Sequence, residues 1–358
     1  MSQPTIKTRV LIISDTHNAP LSEKGDGKPI APFKSPLPSA DLLIHCGDLT
    51  MTGQQDEYHR TLDMLSEISA PVKLVIAGNH DLSLDRDFVS SHRTHDPQRR
   101  QPPSMSEEDA DARVNAARDL WTAPDGRAKQ EGVTYLDEGL HTIPLPNGAV
   151  ATVYASPYTP EFWDWAFPYE RHEDRFNGPG TALSDAVSIA PYPMPTRSKA
   201  VRPVDIVMTH GPPWKRLDPT ARVEAVGCPH LLRALMRARP TLCCFGHIHE
   251  GWGAERVMWA EGAEEVPGKA CSIEEWQKGG WEDGVKARGG GGGLDITPIK
   301  CDAEAAREKR AEFIDISKEG SKAITPGEET LFVNAAIMDV AYRPVNAPWV
   351  VDLDLPAR

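Results

Sequence analysis

Five short apolar runs stand out along this chain, and each of them ends in a polar cluster. The apolar runs are Val10 to Ser14, Leu42 to His45, Val72 to Ala77, Ile206 to Thr209 and Leu242 to Phe245. Such runs are typical of strands buried on both faces of a sheet. The clusters after them are Asp15-Thr16-His17, Gly47-Asp48, Gly78-Asn79-His80-Asp81, His210-Gly211 and Gly246-His247-Ile248-His249. Open α/β sheets bind ligands beyond the carboxyl ends of their strands, so the pattern predicts one site built from five loops.

The segments between and after these runs complete an α/β pattern. Helical spacing of apolar residues predicts helices over Gln55 to Ser69, Glu107 to Trp121 and Leu231 to Arg239. Strand-like patterning resumes over Glu329 to Met338 and Trp349 to Leu353, and we expect these two strands to close the sheet. We therefore predict a single domain over residues 1–358, with insertions at about 85–130, 170–202 and 253–327 and closing strands at about 329–353.

One glycine run resembles a phosphate-binding loop at first sight. The segment Gly289 to Gly293 consists of glycine alone. A phosphate loop of the Walker type continues into Gly-Lys-Ser/Thr and a helix, and neither follows here. The composition therefore favours a flexible linker.

Net charge, apolar runs and cysteine spacing indicate which partners the protein binds and in which compartment it acts. The net charge of -13 and the pI near 5.4 argue against extended contact with nucleic acid or an anionic membrane, but bound divalent cations can still attract a small phosphorylated substrate. No apolar run is long enough to span a membrane, and the polar N-terminus leads directly into the first strand without a secretory leader. The six cysteines form no Cys-x-x-Cys pair, which is typical of free thiols in a reducing compartment. We predict a cytoplasmic protein.

The polar clusters supply oxygen and imidazole donors, and none of them supplies a thiolate. The candidate ligands are Asp15, His17, Asp48, Asn79, His210, His247 and His249. Divalent Mn, Fe and Zn accept this mixture of donors. Residues two apart in an extended segment point the same way, which would let Asp15 and His17 share one metal. Seven donors from five loops suit two divalent metal ions rather than one, with the Asp48 carboxylate bridging them.

The ordered motifs resemble those of the calcineurin-like metallophosphoesterases. These motifs are Asp-x-His, Gly-Asp, Gly-Asn-His-Asp, a later His-Gly and Gly-His-x-His, and the match covers about residues 9 to 254 and the closing segment near Leu331 to Leu353. The resemblance implies an α/β fold, a four-layer α/β/β/α sandwich with two mixed β-sheets. It also implies a first metal bound by Asp15, His17, Asp48 and His249, and a second bound by Asp48, Asn79, His210 and His247.

Further segments resemble the metallophosphoesterase-domain-containing branch of that superfamily. They are Ser156-Pro157-Tyr158, Phe162-Trp163-Asp164-Trp165, Thr209-His210-Gly211-Pro212-Pro213, Gly227-Cys228-Pro229, Gly246-His247-Ile248-His249-Glu250-Gly251 and Phe332-Val333-Asn334-Ala335. This resemblance implies a phosphodiesterase acting on cyclic nucleotides or similar small diesters. A phosphomonoesterase or protein phosphatase of the same fold is one alternative, and a non-catalytic scaffold is another. A nucleic-acid substrate is disfavoured, since no basic stripe with interleaved aromatic residues occurs.

The resemblance also implies how such a site would act. Two metal ions would supply hydroxide near neutral pH for in-line attack and neutralise the phosphoryl oxygens. His80, next to the ligand Asn79, is predicted to stabilise the phosphoryl group or protonate the leaving oxygen, with Asp81 orienting its ring.

Two further groups of residues have alternative interpretations. His45 lies inside a strand, where a buried structural role is favoured over a hydrogen bond to a ligand. Phe162, Trp163, Trp165 and Phe167 could form a wall on which a nucleobase stacks, but packing within the fold is the favoured role.

Overall fold

The computed structural model describes residues 4–21, 31–91, 105–181, 183–198, 203–222, 225–259, 273–274 and 295–358. The strands are β1 Thr5–Ile13, β2 Leu42–His45, β3 Val72–Val75, β4 Val133–Tyr135, β5 Gly139–Pro144, β6 Val150–Ser156, β7 Thr159–Pro160, β8 Pro168–Tyr169, β9 Glu173–Asp174, β10 Val187–Ser188, β11 Ile206–Thr209, β12 Leu242–Phe245, β13 Gly253–Met258, β14 Asp295–Pro298, β15 Glu312–Asp315, β16 Glu329–Asn334 and β17 Trp349–Pro356. The helices are α1 Gln55–Ser66, α2 Arg86–Ser90, α3 Glu107–Thr122, α4 Arg127–Gln130, α5 Pro229–Ala238 and α6 Ala303–Lys309.

Most strands belong to one of two mixed sheets. Sheet 1 has the order β15-β17-β1-β2-β3-β4, and sheet 2 has the order β14-β13-β16-β12-β11-β6-β5. In sheet 1, β1 pairs with β2 in parallel and with β17 antiparallel. In sheet 2, β16 pairs with β12 in parallel and with β13 antiparallel. The short strands β7 with β8 and β9 with β10 form two further pairs.

Alternating side chains along the strands separate three hydrophobic layers. Val10 and Ile12 of β1 pack into one core with residues of β11, β12 and β16, so this core lies between the two sheets. Leu11 and Ile13 point the other way and pack in a second core with α1 and α3. Phe245 of β12 belongs to a third core with α5. The layers confirm the predicted α/β/β/α sandwich.

The helix ends depend on local hydrogen bonds. The predicted helix from Gln55 ends at Ser66 rather than Ser69, and the Glu57 side chain accepts a hydrogen bond from the Gln54 N–H at its start. The surface helix α3 follows Ser106, whose hydroxyl accepts a hydrogen bond from the Asp109 N–H.

The predicted closing strands belong to different sheets. Gly253–Met258, within the segment predicted as an insertion, is a strand that pairs with β16 over its whole length. The prediction that the two later strands close one sheet is wrong. β16 is an interior strand of sheet 2 and β17 is an interior strand of sheet 1, where it pairs with β1 from Thr5 to Ile12. That pairing explains why β1 starts well before Val10.

Several sequence predictions concern thiols, membranes and segments beyond the described ranges. Cys46, Cys228, Cys243 and Cys244 are buried free thiols, as predicted, whereas the free thiol of Cys301 is exposed. Within the described ranges, no helix combines the length and the apolar content needed to cross a bilayer. The glycine run 289–293 and Cys271 lie outside the described residues.

Candidate metal centre

The seven predicted ligands all follow the carboxyl ends of strands. Asp15 and His17 follow β1, Asp48 follows β2, Asn79 follows β3, His210 follows β11, and His247 and His249 follow β12. Backbone hydrogen bonds join neighbouring loops within each sheet, and the His247 N–H on sheet 2 donates to the Asp15 carboxylate on sheet 1 at 3.0 Å, which joins the two sheets. The Asp15 N–H donates to the Gly47 carbonyl at 3.0 Å, and the Gly246 N–H donates to the His210 carbonyl at 3.0 Å. The site therefore lies where the ends of both sheets meet.

The ligand loops turn sharply through left-handed backbone. Four ligand residues have positive φ: Asp15 at 53°, His17 at 45°, Asp48 at 53° and His247 at 66°. The predicted reason for Asp15 and His17 to share a site, an extended segment between them, is therefore wrong. Each such conformation costs on the order of 1–3 kcal/mol for a residue other than glycine, and such residues concentrate at functional sites.

Two glycines let backbone approach the acidic ligands closely. A Cβ at Gly78 would lie 2.3 Å from Asp48 Oδ1, and a Cβ at Gly246 would lie 1.9 Å from Asp15 Oδ2. Any side chain at either position would displace a carboxylate. The predicted motifs Gly-Asn-His-Asp and Gly-His-x-His thus contain glycine for steric reasons.

Backbone carbonyls orient four imidazole rings of the site. The Nδ1 atoms of these rings lie 2.9 to 3.0 Å from carbonyl oxygens: His17 from Thr50, His80 from Met51, His210 from Cys46 and His249 from Asp339. Because a carbonyl oxygen only accepts, each Nδ1 carries a proton and donates it. In the neutral rings, Nε2 then keeps the lone pair that binds a metal.

The donor atoms of the predicted ligands form one connected cluster. Asp15 Oδ1 lies 3.4 Å from His249 Nε2, and Asp48 lies 3.7 Å from His17 Nε2 and 3.3 Å from His210 Nε2. Asn79 Oδ1 lies 2.8 Å from His210 Nε2 and 2.7 Å from His247 Nδ1. The structure brings all seven predicted ligands together.

The chemistry of this cluster fits divalent cations. His17 Nε2 is buried and makes no hydrogen bond within the described part of the chain. Three groups of residues could each hold a metal ion, because their donor atoms, one from each residue, lie within 4.8 Å of one another. The groups are Asp15, His17 and His249; His17, Asp48 and His80; and Asp15, Asp48 and His210. Buried carboxylates and imidazoles in such numbers are costly unless they are paired or bind metals. Asp15 and Asp48 each belong to two groups, so either carboxylate could contact two ions.

Without metal, burial lowers the pKa values of some imidazoles of the site, and neighbouring carboxylates raise those of others. Burial lowers the pKa of His17 to about 4, and burial together with the charge of His210 lowers the pKa of His247 to about 3. Burial opposes protonation of His210 and His249 as well, but Asp48 and Asp15 respectively overcome it and raise both pKa values to about 9. In the absence of metal, Asp48 and Asp15 therefore favour the protonated forms of His210 and His249, respectively.

These pKa shifts predict that the metal-free protein, kept in EDTA, is most stable near pH 6.5. His17 and His247, with lowered pKa, stabilise the fold above pH 6.5, and that contribution is lost as the pH falls toward 4 and 3. His210 and His249, with raised pKa, stabilise the fold below pH 6.5, and that contribution is lost as the pH rises through 9.

The pH dependence of Tm in EDTA, measured by circular dichroism, tests this account. We expect the Tm to fall by about 5 °C or more when the pH is lowered or raised from 6.5. Added Mn²⁺ should reverse the alkaline decline, because metal binding favours deprotonated ligands. A Tm in EDTA that stays level from pH 6.5 to 9 would contradict this account.

His80 lies beside the ligands, but Asp81 does not orient it. The His80 N–H donates to Asp48 Oδ1 at 2.8 Å, and its ring stacks on Trp165 at 3.9 Å between centroids. The prediction that Asp81 orients this ring is wrong, because the Met51 carbonyl does so. The Asp81 carboxylate instead accepts hydrogen bonds from the N–H groups of Leu49, Thr50 and Gly78 and from the Thr50 hydroxyl. Asp81 thus fixes the loops that carry Asp48 and Asn79.

His45 has the buried structural role that the sequence favours, and its hydrogen bond goes to a neighbour of the predicted ligands rather than to a ligand. Its side chain is fully buried, and burial lowers the pKa of His45 to about 3. Its Nε2 lies 2.8 Å from the hydroxyl of Thr16, the residue between Asp15 and His17. His45 therefore fills the interior and also supports the first ligand loop.

The four aromatic residues after β7 do not form a single wall. Phe167 is buried, and its N–H donates to Asp85. Phe162 and Trp163 are 57% and 73% exposed and stack on each other at 4.9 Å. Trp165 alone contacts a predicted site residue, His80. Packing, the favoured role, thus applies to Phe167 and to Trp165, which packs against the same core.

Sequence reasoning missed two residues that support the site. The Asn334 amide donates to the carbonyls of Ile248 and Leu217 and so holds the loop between His247 and His249. Asn334 lies in a motif that the sequence suggested, although without a role. The ring of Tyr342 contacts His17 edge-on at 5.0 Å between centroids. No local pattern around Tyr342 indicates this, because the contact depends on how the C-terminal segment folds back.

Known proteins are similar to this chain over most of its length. The Calcineurin-like phosphoesterase family profile matches residues 8–251. Metallophosphoesterase domain-containing protein 1 of Homo sapiens is 30% identical over 253 residues, which are 70% of this chain and 63% of that protein. A protein of Emericella nidulans named Probable rhamnogalacturonate lyase C is 32% identical over 253 residues, which are 70% of this chain but 18% of that protein. The chain thus spans less than two thirds of either relative.

One solved structure is only weakly similar to this chain. The purple acid phosphatase PPD1 from yellow lupin seeds aligns with 98% of this chain and 54% of its own chain. The identity is 9% and the TM-score is 0.35, which is too low to support a functional comparison. The lyase name of the Emericella protein likewise describes a much longer protein.

Proposed function

The chain belongs to the calcineurin-like phosphoesterase family, and we propose that it is a phosphodiesterase that uses two divalent metal ions to hydrolyse cyclic nucleotides or similar small diesters. The observation that carries this proposal is the convergence of seven carboxylate, amide and imidazole donors from five loops beside His80. Fold alone does not specify a reaction, so the argument rests on these side chains.

The choice of a diester over a monoester rests on the resemblance to the metallophosphoesterase-domain-containing branch, of which a Homo sapiens protein is 30% identical to this chain over 253 residues.

The ligands have distinct tasks in this proposal. Asp15, His17, Asp48 and His249 would hold one ion, and Asp48, Asn79, His210 and His247 would hold the other. When bound, such a pair of ions activates water near neutral pH and neutralises phosphoryl charge. The carbonyls of Thr50, Cys46 and Asp339 keep three imidazoles in the tautomer that ligation needs.

In this proposal the His80 side chain acts on the substrate, and its backbone N–H holds a predicted ligand. Its ring is fixed by the Met51 carbonyl and by stacking on Trp165, and its backbone N–H anchors Asp48. We assign its side chain to the leaving oxygen or to a phosphoryl oxygen. Asp81 has a structural role in the adjoining loop, because its carboxylate accepts four hydrogen bonds, three from backbone N–H groups and one from a hydroxyl.

A turnover panel tests the proposed function directly. The full chain is stripped with chelator, reloaded with Mn, Fe or Zn, analysed for bound metal, and given cyclic nucleotides, p-nitrophenyl diesters and p-nitrophenyl phosphate. We expect two metals per chain and metal-dependent turnover that favours diesters. Turnover of monoesters alone would identify a phosphomonoesterase. A chain that binds no metal and turns over none of these esters would be a scaffold.

His80→Ala should reduce turnover most for esters with poor leaving groups. General acid catalysis contributes about 10² to 10⁴-fold, and this contribution matters least when the leaving group is already acidic. We expect kcat on an alkyl diester to fall in this range, a much smaller effect on p-nitrophenyl esters, and two metals still bound.

The control for this variant is His59→Ala, which removes an exposed imidazole from the surface of α1. His59→Ala should keep both activities. Full turnover of the alkyl diester by His80→Ala, with both metals present, would contradict the role given to His80.

A further inference from the structure

The C-terminal segment places Tyr342 over the imidazoles of the site. Its ring centroid lies 5.0 Å from that of His17, 5.5 Å from that of His249 and 6.1 Å from that of His80, and all three contacts are edge-on. The side chain is nevertheless exposed, with 44% of its surface accessible. One side of the ring therefore contacts the predicted metal and phosphoryl site, and another part remains accessible to a ligand from solvent.

The segment that carries Tyr342 is held in one conformation. The Asp339 carboxylate accepts hydrogen bonds from the N–H groups of Ala341 and Arg343 and pairs with the Arg343 guanidinium. The Asp339 carbonyl accepts the Nδ1–H of His249, so the same residue fixes a predicted ligand. Tyr342 itself has a left-handed backbone with φ of 55°. Such strain in a residue other than glycine is maintained because the surrounding hydrogen bonds hold it, and it is typical of functional positions.

Tyr342 and Trp165 both contact the ring of His80. The Trp165 ring stacks on His80 at 3.9 Å between centroids with an interplanar angle of 28°, and the Tyr342 ring contacts it edge-on at 6.1 Å. The predicted phosphoryl site therefore has aromatic rings beside it, which favours an aromatic substituent on the substrate. Two aromatic rings in edge-to-face or offset contact gain more than the burial of their area alone.

We propose that Tyr342 is a specificity-determining residue whose ring packs against an aromatic substituent of the diester substrate. This inference rests on the proposed function, and it adds the chemical class of the ester group that the site prefers. The ring makes the contact, and the hydroxyl is not required. Tyr342 should therefore affect KM for aromatic diesters more than kcat.

A pair of substrates with one leaving group tests this proposal. Bis(p-nitrophenyl) phosphate and methyl p-nitrophenyl phosphate both release p-nitrophenolate, but one keeps an aryl group on phosphorus and the other keeps a methyl group. We expect Tyr342→Leu, which keeps an apolar side chain of substantial size, to lower the ratio of kcat/KM for the aryl over the methyl diester by about 3- to 10-fold, mainly through KM. Tyr342→Phe should preserve the ratio.

The matched control is Phe313→Leu. Phe313 is 43% exposed on β15, an edge strand of sheet 1, and should leave the ratio unchanged. Metal content and Tm are measured for every variant, so that a loss of ligation is not mistaken for a loss of specificity. An unchanged ratio in Tyr342→Leu with turnover intact would overturn the inference, as would a Tyr342→Phe variant that loses as much as Tyr342→Leu.

A binding measurement keeps the inference testable if the proposed function fails. Absence of diester turnover in the wild-type chain would contradict the phosphodiesterase proposal alone. Calorimetry on the Mn-loaded chain then compares phenyl phosphate with methyl phosphate. We expect tighter binding of phenyl phosphate, with the preference reduced in Tyr342→Leu and kept in Tyr342→Phe. Equal affinities for the two ligands in the wild-type chain would overturn the inference.

Discussion

Asp48→Asn is expected to lower kcat/KM for diesters by about 10³-fold or more, because the two-metal site loses a carboxylate that both ions are proposed to share. Asp48 lies 3.3 Å from His210 Nε2 and 3.7 Å from His17 Nε2, in ligand sets from the two sheets. Asparagine has a similar size but no charge, so metal analysis should find one ion or fewer per chain.

Asp48→Asn should also change how the stability of the metal-free protein depends on pH. Burial opposes protonation of His210, and Asp48 is the main group that overcomes it and raises the pKa to about 9. Removing the carboxylate should therefore weaken the alkaline decline of Tm in EDTA. Asp137→Asn is the control, because Asp137 forms an exposed ion pair with Arg118. An Asp48→Asn protein with two bound metals and unchanged kcat/KM would refute the bridging role.

Gly246→Ala is expected to abolish metal binding and turnover through one added methyl group. The new Cβ would lie 1.9 Å from Asp15 Oδ2 and 2.2 Å from Ser14 Oγ, far inside van der Waals contact. Either the Asp15 carboxylate or the loop that carries His247 must move, and overpacking of this kind costs about 1–3 kcal/mol. We expect a loss of at least about 10²-fold in kcat/KM, since small displacements of catalytic groups reach that size.

Gly253→Ala is the matched control for this variant. A Cβ at Gly253 meets its nearest atoms at 3.6 Å, which is ordinary contact. Gly253→Ala should therefore retain metal, Tm and turnover. If Gly246→Ala bound two metals and kept wild-type kcat/KM, Asp15 would not be held where the structure places it.

The local parts of the site could be predicted from the sequence. The strands β2, β11 and β12 have the predicted bounds, because strands buried on both faces consist of uninterrupted apolar residues. The family predicted from the five ordered motifs is confirmed by the family profile and the relatives. The assignment of individual ligands to individual ions stays a prediction.

Strands with polar residues could not be predicted in the same way. β13 contains Glu255 and Arg256, and these charges favour an insertion rather than a strand. Glu255 pairs with Arg216 and Arg256 pairs with Glu329, so both charges are compensated by distant segments. A sequence shows the charges of a strand but not the partners that make its burial possible.

Residue type and apolar patterning are local properties, so the amino-acid sequence alone predicts which donors lie at which strand ends. How those donors are oriented depends on the folded protein. The carbonyl that orients His80 comes from Met51 rather than from the neighbouring Asp81, and the ring over His17 comes from Tyr342 at the far end of the chain. Such contacts depend on the packing of two sheets against each other, which joins residues that no local pattern relates.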